Sequence, residues 1–252
     1  MIKLLSLIFM ALFSLQALAQ TKCIAHRGYH HNAPDNSLEA INLADQVGAD
    51  GIEFDIVHTK DGIALVNHDK VLKKTGMDSL GESCPLDTPI SQMTLKEIQS
   101  KCTLKDGSAI PTLEDVVESL KYSSAMLFVE LKDMPSTHTS AIMKKYYSGR
   151  EDQLRVIAFG KKDIKGLKSH DNKFWKGVKF LKLTAQPFGI QRSMGVNVFL
   201  GAYKTRRKFF KRLKRELSVW TVNKETQLKM LIDDGVNFIT TDNIEACMKL
   251  TR

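Results

Sequence analysis

The sequence predicts an α/β fold, a (β/α)8 TIM barrel with a small insertion after the second barrel strand. Short apolar runs alternate with amphipathic stretches along the whole chain, a pattern typical of a parallel sheet covered by helices. The chain has 252 residues, and such a barrel typically needs ~250. A doubly wound sheet is the alternative, but no glycine-rich fingerprint follows the first apolar run.

The strand candidates are short runs rich in branched and aromatic residues. They span residues 23–26, 51–57, 63–67, 125–131, 155–159, 179–183, 196–200, 217–222 and 238–240. Helical spacing of apolar residues follows in residues 38–47, 113–120, 226–232 and 244–250. Asn36 with Glu39, and Thr112 with Asp115, resemble capping boxes, so we expect Asn36 and Thr112 to cap helices. Residues 69–110 are irregular and predict the insertion above the barrel.

The first 19 residues predict a cleaved secretory signal peptide. Lys3 precedes an apolar run over residues 4–18, and Ala17-Leu18-Ala19 is a small-x-small cleavage site. An uncleaved anchor is the weaker alternative, because a spanning helix needs ~20 apolar residues. We therefore expect an exported protein, periplasmic or secreted, whose mature chain is a single domain of residues 20–252.

Export would permit disulfide bonds. The four cysteines are Cys23, Cys84, Cys102 and Cys247. Cys84 and Cys102 bracket one polar stretch and are a candidate local pair. Cys23 and Cys247 can pair only if the fold brings the two ends of the chain together, as a closed barrel does. The sequence alone leaves the pairing open.

The charge balance is basic, with 37 Lys and Arg against 28 Asp and Glu and a formal net charge of +9. Residues 204–215 hold eight of the cations, interleaved with Phe209, Phe210 and Leu213. A solvated basic helix on the outside of the barrel is the simplest interpretation. Peripheral contact with an anionic membrane surface is the alternative. No nucleic-acid-binding module accompanies the cluster, so no nucleic-acid partner is expected.

Polar side chains collect at the ends of the predicted strands, where barrel enzymes carry their chemistry. Glu53 and Asp55 alternate with apolar residues, so both carboxylates share one face and point into the barrel mouth. Glu130 and Lys132 share a face by the same rule. Three carboxylates from two strands suit a hard divalent ion such as Mg²⁺ or Ca²⁺.

An ordered set of motifs resembles the glycerophosphodiester phosphodiesterase family over essentially the whole mature chain. The motifs are His26-Arg27-Gly28, Pro34-Asp35-Asn36-Ser37, Glu53-x-Asp55, His68-Asp69, Ile110-Pro111-Thr112-Leu113-Glu114, Val129-Glu130-Leu131-Lys132 and Trp220-Thr221-Val222-Asn223. The resemblance implies a TIM barrel that hydrolyses glycerophosphodiesters, small-molecule substrates, to glycerol 3-phosphate and an alcohol. Asp35 and Ser37 depart from the family's usual Glu and Thr but keep the chemical type.

The resemblance also implies the site residues. His26 and His68 match the general acid/base pair, and Arg27 and Lys132 match basic residues facing the phosphate. Trp220 matches an aromatic residue at the glycerol end of the substrate. The metal ligands, for one divalent ion, match Glu53, Asp55 and Glu130. The sequence does not say which histidine is the acid.

Other residues and functions remain open. Asp242 either fixes a loop or caps a helix, and we assign His58 to a surface or loop position. We assign His30 and His31, which follow His26 closely, to a solvated loop, and a position lining the barrel mouth is the alternative. The alternative functions are lysophospholipase D-like hydrolysis of lysophospholipids, motivated by the basic stretch, and a non-catalytic phosphate- or lipid-binding barrel.

Overall fold

The computed structural model describes residues 20–79, 81, 83–186 and 194–252. The predicted signal peptide, residues 1–19, lies outside the described residues. No helix within the described ranges is long and apolar enough to cross a bilayer. The strands are β1 (Lys22–Ala25), β2 (Gly51–His58), β3 (Ala64–Val66), β4 (Gly76–Asp78), β5 (Cys102–Leu104), β6 (Met126–Leu131), β7 (Leu154–Ala158), β8 (Lys179–Thr184), β9 (Gly195–Phe199), β10 (Leu217–Trp220) and β11 (Phe238–Thr241).

Helices follow most of these strands and form the outer layer. They are α1 (Leu38–Gln46), α2 (Leu95–Lys101), α3 (Leu113–Ser119), α4 (Thr137–Tyr147), α5 (Lys161–His170), α6 (Asn172–Trp175), α7 (Leu200–Thr205), α8 (Arg207–Lys211), α9 (Glu225–Asp233) and α10 (Ile244–Thr251). Several are short, in particular α6 and α8. The helical layer is therefore thin at places, as a chain of this length requires.

Eight parallel strands close into the predicted barrel. Their order is β1, β2, β6, β7, β8, β9, β10 and β11, and β1 pairs with both β2 and β11. Ile24 of β1 lies opposite Gly51 on one side and Thr240 on the other, which closes the sheet. Phe128 and Phe238 pack edge to face at 5.0 Å in a buried cluster separate from the main core between strands and helices. The prediction of a (β/α)8 barrel is confirmed.

One predicted strand lies outside the barrel. Residues 63–67 were expected to lead to His68 as a barrel strand would, but β3 runs antiparallel to β2, with Val66 opposite Ile56. The backbone N–H of Asn67 then donates to the carbonyl of Asp55 at 3.1 Å. The hairpin therefore returns the chain to the level of Asp55 before the insertion begins. The insertion itself carries β4, β5 and α2 over a small apolar core of its own.

Two disulfide bonds join the four cysteines. Cys84–Cys102 links residues 18 positions apart within the insertion, and Cys23–Cys247 links β1 to α10 across 224 positions. The closed barrel brings the two ends of the domain together, which is the condition that the second pairing required. In a chain-entropy model the short loop contributes ~3 kcal/mol to stability and the long one ~5 kcal/mol.

The two predicted helix caps have different outcomes. Thr112 caps α3 in a reciprocal capping box with Asp115, as predicted. Helix α1 is instead capped by Ser37, whose Oγ accepts the backbone N–H of Ala40 at 3.0 Å. Asn36 lies one residue before the cap position of α1, and its side chain points towards the barrel mouth. The prediction that Asn36 caps a helix is therefore wrong.

The basic stretch of residues 204–215 is only partly solvated. Tyr203 and Phe210 are buried and stack at 5.8 Å, which anchors α7 and α8 to the barrel. The buried carboxylate of Asp234 accepts hydrogen bonds from Arg207, Lys211 and Tyr203 at 2.7–2.8 Å. Two of the eight cations, Arg207 and Lys211, therefore share one carboxylate, which offsets one of their two charges.

We predict that Asp234→Asn destabilises the fold in a pH-dependent way. Burial alone would raise the pKa of Asp234, but hydrogen bonds from Arg207 and Lys211 outweigh it and lower the pKa to about 2. A carboxylate whose folded pKa is depressed stabilises the fold above its ordinary pKa and loses this contribution as the pH falls towards 2. Allowing for screening at the exposed cations, we expect a loss of ~1–2 kcal/mol at pH 7.

Urea denaturation between pH 2.5 and 7 gives the free energy of unfolding of the wild type and of the variant. The difference between these two free energies should narrow steadily below pH 4. The neighbouring Asp233, which is exposed, supplies the control Asp233→Asn. A difference that is independent of pH, or equal in the control, contradicts the prediction.

Candidate active site

Three buried carboxylates meet at the mouth of the barrel. Asp55 of β2 lies opposite Glu130 of β6 in the parallel register, and Glu53 lies two residues before Asp55 on the same face. One oxygen atom from each residue lies within 4.8 Å of the others. The predicted alternation therefore places Glu53, Asp55 and Glu130 together as expected. We call these three residues the acidic triad.

Two cations compensate Asp55 in particular. The Nζ of Lys132 lies 3.0 Å from its Oδ1 and also donates to Glu130. The Nε of Arg27 lies 3.4 Å from its Oδ2, which also accepts a hydrogen bond from the Asn36 side chain at 2.9 Å. Lys132 and Arg27 thus lie in the site where the resemblance placed them.

The pKa shifts of the three carboxyl groups indicate which of them lack a compensating positive charge. Burial and the nearby charge of Asp55 raise the pKa of Glu53 to about 8. Burial and Asp55 also raise the pKa of Glu130. Burial acts in the same direction on Asp55, but Lys132 and Arg27 outweigh it and lower its pKa.

Two of the three carboxylates therefore lack full compensation within the described protein. Oxygen ligands of this charge and spacing fit a hard divalent cation. The acidic triad can accordingly hold a metal ion.

His26 follows β1 and is held by an aspartate. Its Nδ1 lies 2.7 Å from Oδ1 of Asp242, and its Nε2 lies 4.0 Å from Oε2 of Glu53. Burial lowers the pKa of His26, but the Asp242 hydrogen bond and the charge of Glu53 outweigh it, and the net shift is upward. Asn223 fixes Asp242 in turn, donating to its Oδ2 at 2.6 Å. The sequence left the role of Asp242 open, and the structure places it against His26.

His68 is held in the same way from the other side of the acidic triad. Its Nδ1 lies 2.7 Å from Oδ1 of Asp69, and Lys74 binds the second oxygen of Asp69 at 2.7 Å. Partial burial and the charge of Lys132 lower the pKa of His68, despite the opposing effect of Asp55. The β2–β3 hairpin, rather than the end of a barrel strand, delivers this histidine to the site.

The loop between His26 and α1 is built on left-handed backbone conformations. Arg27 has φ 53°, Gly28 has φ 82° and Asn36 has φ 61°. A Cβ at Gly28 would lie 2.6 Å from the backbone of Ala40, so only glycine fits there. Such conformations in Arg and Asn cost energy and occur mainly where the surroundings enforce them. Here they turn both side chains towards Asp55.

A cavity of about 480 Å³ opens beside His26. Arg27, His30, Asp35 and Asp242 line it as well. The Nη1 of Arg27 binds Asp35 at 2.7 Å, and the Nδ1 of His30 lies 3.0 Å from the His26 carbonyl. His30 lies in the loop after β1, and its part-exposed side chain lines the mouth, as the alternative assignment proposed. His31 also contacts the mouth, with its Nε2 3.0 Å from the Asp242 carbonyl.

Trp220 lies in an aromatic wall that the sequence did not reveal. Phe159 follows β7 and Phe199 ends β9, and their rings contact the Trp220 indole at 6.5 and 5.5 Å. Phe159 is 51% exposed and Phe199 is 45% exposed. Both looked like ordinary strand residues in the sequence, since aromatic residues are common in strands.

His58 is not a surface residue, contrary to expectation. It is buried at the end of β2, with Nδ1 2.5 Å from Asp133 and Nε2 2.7 Å from the Thr139 hydroxyl. These bonds connect β2 to the segment after β6 that carries Lys132. His58 therefore supports the strand ends that hold the site.

The chain is similar to known phosphodiesterases over most of its length. A glycerophosphodiester phosphodiesterase of Caldanaerobacter subterraneus subsp. tengcongensis is 26% identical over 92% of this chain and 98% of its own. The crystal structure of a glycerophosphodiester phosphodiesterase from Thermotoga maritima is 26% identical, with a TM-score of 0.68 over 91% of this chain and 98% of that chain. An Oleispira antarctica phosphodiesterase in complex with the product sn-glycerol-3-phosphate is 20% identical, with a TM-score of 0.75 over 92% and 96%.

The family model described as the glycerophosphoryl diester phosphodiesterase family matches residues 26–246. This range contains the acidic triad, both aspartate-bound histidines and the aromatic wall. The chain therefore belongs to the glycerophosphoryl diester phosphodiesterase family and is an enzyme of the phosphoric diester hydrolase class.

Proposed function

We propose that this protein is a metal-dependent hydrolase of glycerophosphodiesters, releasing glycerol 3-phosphate and an alcohol. The observation that carries the proposal is the acidic triad flanked by two histidines, His26 and His68, each bound through Nδ1 to an aspartate. Support also comes from the Oleispira antarctica phosphodiesterase, whose structure holds sn-glycerol-3-phosphate.

The acidic triad would bind one divalent ion, Mg²⁺ or Ca²⁺, which supplies positive charge to the phosphate oxygens as negative charge develops. Arg27 and Lys132 add positive charge on the same side of the mouth. Both are already held near Asp55, so little further ordering is needed when an anionic diester binds. The phosphate group would therefore lie between these two cations.

The histidines would transfer the protons. Because an aspartate holds each Nδ1, the Nε2 atom is the one left to face the reacting groups. One histidine removes a proton from the substrate's neighbouring glycerol hydroxyl, whose oxygen attacks phosphorus. The other donates a proton to the departing alkoxide, and water then opens the cyclic phosphate. The reaction needs one neutral group that accepts a proton and one protonated group that donates one. The two imidazoles of the site can fill these two roles.

Lysophospholipids are a second candidate class of substrate. The observation favouring them is the exposed aromatic wall of Phe159, Phe199 and Trp220, which offers apolar surface beside the mouth. Exposed aromatic groups gathered in one patch are typical of binding surfaces. A non-catalytic binding barrel is less well supported, because it has no need for two aspartate-held histidines.

We further propose export, with a cleaved signal peptide over residues 1–19 and a mature single domain of residues 20–252. The two disulfide bonds support this, because such bonds persist mainly in oxidising compartments.

Peripheral contact with an anionic membrane surface is also part of the proposal. Lys204, Arg206, Lys208 and Arg212 are exposed on α7, α8 and the turn that follows, and Phe209 is exposed among them. Basic groups near an anionic bilayer each contribute ~1 kcal/mol to binding.

We predict that exhaustive chelation abolishes hydrolysis of glycerophosphocholine, and that Mg²⁺ or Ca²⁺ restores it. His68→Ala should lower kcat by roughly 10²–10⁴-fold, because the site loses one of its proton-transfer groups. His138→Ala, which removes an exposed histidine on α4, is the matched control. Full activity after metal removal would refute metal dependence, and an unaffected His68→Ala would refute the role of this histidine.

We predict that Asp242→Asn lowers kcat at least about tenfold and up to ~10⁴-fold, because losing the carboxylate that orients a catalytic histidine leaves the imidazole in the wrong tautomer. Because Asp242 bonds directly to His26, KM should change much less than kcat, and steady-state kinetics separates the two parameters. Asp87→Asn, at an exposed carboxylate paired with Lys73 in the insertion, is the control. A rise in KM alone would argue against the positioning role.

We predict that Phe159→Ala with Phe199→Ala reduces kcat/KM for lysophosphatidylcholine at least about tenfold, because apolar burial of the acyl chain is lost. Glycerophosphocholine, which has no acyl chain, should change much less. Parallel assays on both substrates measure the ratio. If wild-type enzyme cleaves only the short diester, lysophospholipids are not substrates.

We predict that Lys204→Gln with Lys208→Gln weakens sedimentation with phosphatidylglycerol-containing vesicles several-fold, because two exposed charges are lost. Lys96→Gln with Lys105→Gln, at two exposed positions of the insertion, makes the same change in charge elsewhere. Equal binding by the wild type and the first variant would contradict a membrane role for the basic stretch.

A further inference from the structure

We propose a second anion-binding site at the end of the barrel opposite the catalytic mouth, recognising a multiply charged phosphate group. The site is a cavity of about 470 Å³. Its charged lining consists of Lys168, Lys176, Lys179, Arg215 and Glu216, and Trp175 also borders it. We call it the lower cavity.

The position of the lower cavity separates it from the catalytic site. Lys179 is the first residue of β8, Gly195 is the first residue of β9, and Glu216 directly precedes β10. The strands of the barrel are parallel, so these residues lie at its N-terminal end. The groups of the candidate active site lie towards the other end, after β1, at Glu53 and Asp55 within β2, and at Glu130 near the end of β6. A ligand in the lower cavity therefore does not contact the acidic triad.

The charge in the lower cavity is strongly unbalanced. Among the described residues, four cationic side chains and one carboxylate, that of Glu216, line the cavity. That carboxylate already accepts two hydrogen bonds from the buried Arg155, both at 2.7 Å, and one from Lys179 at 3.0 Å. The negative charge of Glu216 is thus compensated by Arg155, which is not part of the cavity lining. The lining therefore keeps an excess of positive charge. A concave surface of one sign of charge concentrates oppositely charged solutes.

Two of the cations are held in place by the protein itself. The Nζ of Lys168 lies 4.2 Å from the centre of the Phe180 ring, in a cation–π contact. The Nη1 of Arg215 donates to the Met194 carbonyl at 3.4 Å. Groups that are already positioned lose less entropy when a ligand binds. The cavity therefore has the partial preorganisation of a binding site.

A phosphate-bearing anion is the ligand chemistry that this lining fits. Lys ammonium and Arg guanidinium groups bind phosphate oxygens through charge-assisted hydrogen bonds. Like charges brought together also repel, so an anion with two or more charges would relieve repulsion among several of them at once. Free oligophosphates and the phosphomonoester headgroups of lipids share this chemistry.

Tryptophan fluorescence can test the site selectively. The sequence contains two tryptophans, Trp175 beside the lower cavity and Trp220 at the catalytic mouth. In a Trp220→Phe variant of the full chain, Trp175 is the remaining fluorophore. Pyrophosphate would be titrated at pH 8 and constant ionic strength. Dihexanoylphosphatidic acid, a phosphomonoester lipid used below its micelle concentration, would serve as a soluble headgroup with more than one charge.

We expect a saturable change in Trp175 emission with at least one of the two probes. Adding Lys168→Gln with Lys176→Gln should raise the half-saturation concentration at least about tenfold, whereas Lys204→Gln with Lys208→Gln should change it less than about twofold. Response to pyrophosphate alone identifies a free anion, and response to the lipid identifies a headgroup. In the Trp220-containing enzyme, Lys168→Gln with Lys176→Gln should leave kcat on glycerophosphocholine unchanged within about twofold.

No saturable response to either probe would overturn the proposal. Equal weakening by the two double variants would overturn it as well, because it would show general screening by net charge. Circular dichroism of the variants excludes unfolding as the cause of a lost response.

Discussion

The mutual repulsion of three buried carboxylates is the constraint around which the upper end of the barrel is organised. Glu53, Asp55 and Glu130 are brought together by the register between β2 and β6. The protein compensates mainly the central member, Asp55, through Lys132, Arg27 and the amide of Asn36. Buried like charges are tolerated only with such compensation. The remaining deficit of positive charge is what suits the triad to hold a cation.

This constraint explains the unusual backbone that follows β1. Arg27 and Asn36 adopt left-handed conformations, and Gly28 lies so close to the backbone of α1 that no side chain fits. The strain brings a guanidinium and an amide to Asp55 from one short loop. The His58–Asp133 contact secures the opposite side, beyond Lys132. The loop after β1 and the His58–Asp133 contact both hold polar groups near the strand ends, and neither adds to the apolar core.

The strand pattern alone predicted the carboxylates, because alternation along β2 and β6 fixes which side chains enter the barrel. The same pattern could not predict that an antiparallel strand leads to His68, since periodicity does not distinguish a parallel strand from an antiparallel one. The local motif predicts a helix cap at Asn36, because such a motif considers only neighbouring residues in the sequence. In the structure the Asn36 side chain binds Asp55, which lies 19 residues away. Phe159 and Phe199 were overlooked because aromatic residues at strand ends resemble core residues until their exposure is known. His58 was misassigned because its partners lie on other elements.

The first and last strands of the barrel meet along one seam, and His26 and Asp242 face each other across it. The backbone N–H of His26 donates to the carbonyl of Thr241 at 3.0 Å, next to this pair. The Cys23–Cys247 bond ties β1, just before His26, to α10, the helix that follows β11. It closes the chain between the two cysteines into a ring and limits how far β1 and β11 can separate. The geometry of the His26–Asp242 pair is thereby linked to the oxidation state of this disulfide bond.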